Sequence, residues 1–283
     1  MISVLKLGLV DYAAGLHIQQ ELVGRRKAGE IGDVLLLLEH APVITLGRNA
    51  KAANILLPPD QLALRGVEIY ECDRGGDVTF HGPGQLVGYP IFDLRGYATP
   101  DGKRKTLGAV DYVRRLEEVL IRTCADLGIA TKRVSGLTGV WTNDVGPGSF
   151  GSAQDRPRPG QDGSKTRPHT GEAKIAAIGV HISRFVTSHG FALNVNADLS
   201  YFNLIVPCGI TSRPVTSMQR ELGRELDLAA ISESLSRHFG VVFSSQMLSV
   251  ETLDALLGNS IGVPMKAPEE LREMHGKDET FLA

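Results

Sequence analysis

The sequence predicts an α+β domain. Short strand-like runs dominate up to about residue 205, helical patterns follow from there, and one long amphipathic helix interrupts the strands. At 283 residues, with 42% hydrophobic and 22% charged, the chain is large enough to bury a substantial core.

Val4 to Leu9 alternates weakly and reads as a strand. Asp11 is placed to cap a helix over Tyr12 to Lys27, ending near Gly29. Val34 to Glu39 reads as a buried strand, and Pro58-Pro59-Asp60 opens a short helix that Gly66 stops. Val67 to Cys72 is a further strand, Arg74 to Gln85 a glycine-rich polar stretch, and Leu86 to Leu94 strand again. Thr106 to Leu127 is the clearest helix. Leu107, Val110, Val113, Leu116, Leu120, Cys124 and Leu127 form its apolar stripe, and Arg114, Arg115, Glu117 and Glu118 its polar face. Gly128 stops it.

From 144 to 170 the composition turns to Gly, Pro, Ser and charge, which predicts a flexible insertion. It contains a formal GxGxxG match at Gly146 to Gly151, but prolines at 157 and 159 leave no helix to follow it, so a dinucleotide site is rejected. Lys174 to Ile182 and Phe191 to Val195 read as strands, and Ser217 to Leu222, Leu226 to Phe239 and Val250 to Leu257 as helices. The tail after Pro264 is polar and expected to be loosely held.

A formal net charge of -2 gives no bulk electrostatic case for nucleic acid. Local basic clusters at Arg25-Arg26-Lys27, Lys103-Arg104-Lys105 and Lys132-Arg133 are solvated faces or docking points for an acidic partner. Cys72, Cys124 and Cys208 form neither a disulfide framework nor a CxxC pair, which suits a reducing, cytoplasmic compartment. Lys6 and Asp11 break any signal-like core, and the run Leu35 to Leu38 is far too short to span a bilayer, so no membrane association is expected.

Three segments are candidates for chemistry. Cys124 sits in a helix stripe and reads as a buried hydrophobe, while Cys72 is ambiguous. Cys208 lies between Pro207 and Gly209, a turn where a thiol is accessible and close to backbone N–H groups. Lys174, opening an apolar strand, is a candidate cation to stabilise a thiolate, although a lysine at a strand end is ordinarily solvated. The stretch Arg74 to Gln85 is either a β-turn, a surface loop, or a ligand loop in which Gly75 and Gly76 let backbone approach closely. The histidines show no zinc spacing, so no metal site is expected.

At these residues the chain resembles the lipoyl(octanoyl) transferase family. The likeness is carried by RGGDVTFHGPGQLVGYPIFDL at 74–94, KIAAIGVHISRFVTSHGFALNVN at 174–196 and FNLIVPCGI at 202–210, with weaker similarity at 39–47. The implied fold is that of the biotin and lipoate protein ligases, a mixed β-sheet flanked by helices. The resemblance makes 1–240 the catalytic unit and leaves 241–283 as a helical extension and tail. It implies an acyl-thioester on Cys208, with Lys174 lowering the thiol pKa and serving as acid and base. Substrate contacts fall on Arg74, Gly75, Gly76, Asp77, Val78, Thr79, Phe80 and His81, on Ala177, Ile178 and Gly179, and on Gly190, Phe191 and Ala192.

The implied donor is an octanoyl-acyl carrier protein. The implied acceptors are lipoyl domains of 2-oxoacid dehydrogenases and the glycine cleavage H protein, and no cofactor is required. Oxyanion donors are expected from the Gly75-Gly76 loop or from 174–179. The rival readings are an ATP-dependent lipoate or biotin ligase and a non-catalytic carrier-binding scaffold. The PCGI cysteine and the lack of a credible phosphate loop speak against the first, and the Cys208 and Lys174 pair against the second.

Overall fold

The structure, a computed structural model, describes residues 1–99, 101–143, 171–206 and 213–257. Its strands are β1 (Ile2–Val10), β2 (Asp33–His40), β3 (Val43–Leu46), β4 (Glu68–Glu71), β5 (Val78–His81), β6 (Gln85–Ile91), β7 (Thr131–Val134), β8 (Leu137–Thr142), β9 (Lys174–Ser183), β10 (Val186–Asn194) and β11 (Met247–Val250). Its helices are α1 (Tyr12–Ala28), α2 (Pro59–Ala63), α3 (Ala109–Ala125), α4 (Met218–Leu222), α5 (Leu228–Val242) and α6 (Leu253–Leu257).

Among the described residues the strands form two sheets, a main one in the order β11-β1-β2-β6-β10-β9-β8-β7 and a small one in the order β4-β3-β5. In the main sheet β1 runs parallel to β2 and β11, and the remaining neighbours are antiparallel. It is therefore a mixed sheet with helices on both faces. The Val34 to Leu38 run of β2 is buried throughout because both faces are covered. Leu35 and Leu37 join the core with α3 and α5, while Val34, Leu36 and Leu38 join the core under α1. A third core, of Ile44, Val78, Phe80, Phe202 and Leu204, lies under the small sheet.

The expected helix over Tyr12 to Lys27 is α1. Gly29 ends it at φ 78°, where its N–H reaches the Arg25 and Arg26 carbonyls, but Asp11 makes no side-chain capping bond. Four readings need correction. The segment Arg74 to Gln85 is no surface loop, because Val78–His81 is a fully buried strand pairing with β3. In α3, Val110 is 73% exposed, whereas Glu117 is fully buried. Arg114 at 2.6 Å and Arg133 at 3.0 Å compensate that carboxylate, and the Gly139 N–H donates to it. Residues 247–250 form an edge strand beside β1, so the expected helix begins only at Leu253. Finally, Val43–Leu46, Thr131–Val134 and Leu137–Thr142 are strands that the sequence pattern left unassigned. Among the described residues no helix is long and apolar enough to cross a membrane.

Candidate active site

The loop from Arg74 to Asp77 is held by its own arginine. Arg74 Nε and Nη2 donate to Thr45 Oγ1 at 3.1 and 2.9 Å, and Nη2 also reaches the carbonyls of Thr45 and Asp77 at 2.7 Å. Nη1 donates to the Gly75 carbonyl at 3.1 Å. A buried guanidinium with so many carbonyl partners shapes the loop from inside. Asp77 ties the loop outward by accepting from Asn54 Nδ2 at 2.5 Å and Lys51 N at 3.1 Å.

The loop also lies directly on β9. A Cβ on Gly179 would stand 2.6 Å from the Gly75 oxygen, so only glycine fits there. The Gly75 N–H donates to Val180 O at 3.0 Å. Of the two oxyanion donors expected on that loop, Gly75 is thus already committed.

Between the loop, β9 and β10 lies a cavity with about 500 Å³ of empty space, part of it open to solvent. It gathers Arg74, Gly75, Gly76, Asp77, Thr79, His81, Ala177, Ile178, Gly179, Gly190, Phe191 and Ala192. Strand alternation separates the other two candidates of the first motif. Val78 and Phe80 point the opposite way, into the core beneath the small sheet. The second and third groups meet because β9 and β10 are paired, Ala192 opposite Ala177 and Gly190 opposite Gly179.

Tyr12, Val87, Tyr89 and His189 also line the cavity and were not singled out from the sequence. His189 had a signal, since it precedes Gly190 in the SHGFAL stretch; Tyr12 and Tyr89 sit inside predicted elements with no mark of their own. His189 Nε2 lies 2.6 Å from Asp73 Oδ1, and His181 Nδ1 lies 2.5 Å from the other carboxylate oxygen. Burial alone would raise the Asp73 carboxyl, but the hydrogen bonds and charges of the two imidazoles outweigh it and hold the group far below the usual range.

Two further histidines are buried here, His81 in the cavity wall and His40 behind it. His40 Nδ1–H donates to Val10 O at 2.8 Å, which leaves Nε2 to accept from the Tyr89 hydroxyl at 2.6 Å. His81 Nδ1–H donates to Gln85 Oε1 at 2.7 Å. Burial pushes His40 down to about 4. Burial, and then the neighbouring His40, push His81 down to about 3, so both are neutral at physiological pH.

Lys174 is buried, 9% exposed, where a solvated end of strand was expected. Its ammonium lies 4.8 Å from the Trp141 ring centroid. Its backbone is held from the side, with N–H donating to Pro214 O and O accepting from Thr216 N, each at 2.9 Å. Lys174 also lines an open cleft between Asn49, Gly75, Gly76 and Asp77 on one wall and Val113 and residues 136–138 on the other. Five residues of this cleft, Gly75, Gly76, Asp77, Ile178 and Gly179, also line the first cavity, so the two lie side by side.

Cys208 lies outside the described residues, as does the insertion at 144–170. The chain is anchored on both sides of 207–212: Val206 N donates to Asn54 O at 2.8 Å, and Val215 bridges Lys174. Cys72 is half-buried, its thiol 3.4 Å from Leu46 O. Cys124 is buried in the core of α3, where burial pushes its thiol up to about 12. Among the described residues, no group of His, Cys, Asp and Glu is placed to hold a metal ion.

Comparison with known proteins identifies the family and agrees with the fold. Residues 11–240 match the model for the lipoyl protein ligase A/B catalytic domain. The chain is 55% identical to an octanoyltransferase of Koribacter versatilis over 98% of both chains. It is 53% identical to an octanoyltransferase of Acidobacterium capsulatum, over 91% of this chain and 96% of the other. The fold is similar to a bipartite lipoate protein ligase from Thermoplasma acidophilum, with a TM-score of 0.64 and 14% identity over 90% of this chain and 89% of that one. A lipoate-protein ligase A bound with ATP gives a TM-score of 0.62 and 13% identity, over 90% of this chain and 91% of that one. With its family model matched over most of its length and such relatives along nearly all of it, this chain belongs to the lipoyl protein ligase A/B catalytic-domain family.

Proposed function

We propose that the chain transfers an octanoyl group from an acyl carrier protein to the ε-amine of a lysine in a lipoyl domain, through a thioester on Cys208. The enzyme class is acyltransferase, the class of its relatives at 53–55% identity. The observation that carries the reading is the position of Lys174. It is buried, it lines an open cleft that shares five residues with the neighbouring cavity, and its backbone is hydrogen-bonded to Pro214 and Thr216, in the stretch of chain that follows Cys208. The cavity suits an acyl chain, and the cleft gives a carrier's prosthetic arm and an acceptor lysine a common approach.

In the first half-reaction the Cys208 thiolate attacks the thioester carbonyl of the donor. The tetrahedral intermediate collapses, the C–S bond to the carrier breaks, and the departing thiolate takes a proton. In the second, the acceptor amine attacks the acyl-Cys208 carbonyl, the enzyme C–S bond breaks, and an amide forms as the amine loses its proton. Lys174 supplies positive charge beside the thiolate and a group to shuttle those protons. Thioester exchange is nearly isoenergetic and thioester to amide is downhill, so the sequence needs no ATP. Lipoyl domains of 2-oxoacid dehydrogenases and the glycine cleavage H protein are the acceptors that fit, in the cytoplasm.

The test is intact mass after mixing with octanoyl-acyl carrier protein without ATP. A gain of one octanoyl group is expected in the wild type and in Cys72→Ala and Cys124→Ala, and none in Cys208→Ala. An adduct that persists in Cys208→Ala overturns the assignment, and a strict requirement for ATP overturns the reaction type.

A further inference from the structure

A chain of buried amides runs from the first motif to the 214–216 stretch beside Lys174. His81 Nδ1–H donates to Gln85 Oε1, and Gln85 Nε2 donates to Phe80 O at 3.2 Å and to Asn194 Oδ1 at 2.9 Å. Asn194 Nδ2 in turn donates to Thr216 O at 2.9 Å. Thr216 N–H then donates to Lys174 O. Gln85 and Asn194 are 2% and 4% exposed, and they face each other in register across β6 and β10. Together with Thr79 and Lys174 they line one small cavity, which Phe202 and Val215 help to close.

Two amides in the middle of a packed sheet gain little for stability, because their desolvation offsets most of their hydrogen bonding. A fully satisfied network does fix one arrangement of the groups it joins. Here the joined groups are the carbonyl of Thr216 and, through it, the backbone of Lys174. Residues 213–217 are also where the described chain resumes after 207–212, the stretch that contains Cys208.

The geometry points to Gln85 and Asn194 as positioning residues of the transfer reaction, holding the Pro214–Thr216 stretch and, through it, the backbone of Lys174. This rests on the reading of Cys208 and Lys174 as the reacting pair. Neither amide touches the acyl group; each acts through the backbone. Removing the Asn194 side chain leaves the buried Thr216 carbonyl and Gln85 Nε2 each short of a partner, and the 214–216 stretch is expected to shift to find others.

The experiment follows acyl-enzyme formation from octanoyl-acyl carrier protein, and the pH profile of Cys208 alkylation by peptide mapping, in Asn194→Ala, Gln85→Met and Lys174→Ala. Near-ultraviolet circular dichroism checks that each variant is folded at the assay temperature. A misplacement of the reacting groups by about 1 Å costs on the order of 100-fold in rate. Asn194→Ala is therefore expected to lower kcat by about 10- to 100-fold with little change in KM, and to move the alkylation midpoint toward that of Lys174→Ala. Gln85→Met, close in volume, is expected to act in the same direction more weakly, and carries the test alone should Asn194→Ala not fold. Folded amide variants with wild-type rates and profiles, beside a shifted Lys174→Ala, would overturn the positioning role and leave the reacting pair intact. An unshifted Lys174→Ala would instead remove the pair itself, and this inference with it.

Discussion

Lys174 and Trp141 face each other on paired strands, the ammonium 4.8 Å from the centre of the indole ring. Arg213 Cζ approaches the same ring at 5.4 Å. The π-face stabilises a cation without accepting its proton, which suits the acid–base role proposed for Lys174.

Trp141→Leu is expected to lose both the buried ring and the cation's seat, and Trp141→Phe to keep a weaker version of each. Large aromatic truncations in cores cost about 3–5 kcal/mol for replacement by alanine, so Leu should fall below that and Phe lower still. Urea denaturation measures the stability, and single-turnover acyl transfer the activity. Equal activity losses in the two variants at matched stability would show that the ring serves only to fill space.

The two buried neutral histidines make stability depend on pH. Their folded values, about 4 for His40 and about 3 for His81, lie below the unfolded value of 6.5. Below about pH 6.5 the unfolded chain therefore binds more protons than the folded one, and stability falls as the pH drops from there through about 4 for His40 and about 3 for His81. Above that window the contribution is complete. Each group contributes a slope of at most about 1.4 kcal/mol per pH unit. Asp73, held low, adds its loss only below its unfolded value of 3.8, at the acid end of the window and below the two pH values of the test that follows. Urea midpoints at pH 5 and 7 should differ clearly in the wild type and less in His40→Gln/His81→Gln. A wild type equally stable at both values contradicts the neutral assignment.

The basic clusters are now ranked by their partners. Lys132 pairs with Glu172 at 2.6 Å, and Arg133 with Glu117 and Glu118 at 3.0 and 2.8 Å, so their charge is spent within the fold. Among the described residues Lys103, with its side chain 82% exposed, makes one long ion pair, to Asp101 at 3.9 Å. Lys103→Glu/Arg104→Glu is expected to raise KM for an acidic carrier and flatten its salt dependence, with kcat little changed. Lys132→Glu/Arg133→Glu should instead lower the melting temperature, because Glu117 loses one of its two arginines in a buried setting. A KM effect confined to the second pair reverses this ranking.

Shortening the insertion is expected to be harmless to folding. Thr142 N donates to Ala173 O at 2.8 Å and Ala173 N to Thr142 Oγ1 at 3.1 Å, so the chain ends flanking it already meet across β8 and β9. Replacing 145–168 by a short Gly-Ser linker changes closure entropy by about 1 kcal/mol or less. Scanning calorimetry should therefore show a melting temperature within about 4 °C of the wild type. A much larger fall would mean that the segment packs against the domain.

The sequence by itself determined the motifs, most strands and the long helices, because apolar periodicity and glycine stops are local signals. It also marked Lys174, Gly179 and Gly190, which stand in uninterrupted motifs. Only the tertiary structure decided which side of Val78–His81 faces the cavity, since alternation fixes two faces but not which one is covered. Val78 and Phe80 went to the core when the small sheet settled over Phe202 and Leu204. The structure alone also buried Glu117, whose arginine partner at 133 lies 16 residues away, and added 247–250 to the sheet edge through pairing with β1. Likewise Gln85 and Asn194 look like ordinary polar residues until β6 and β10 bring them opposite each other. Their hydrogen bonds join residues 109 positions apart, and no local pattern carries information over that distance.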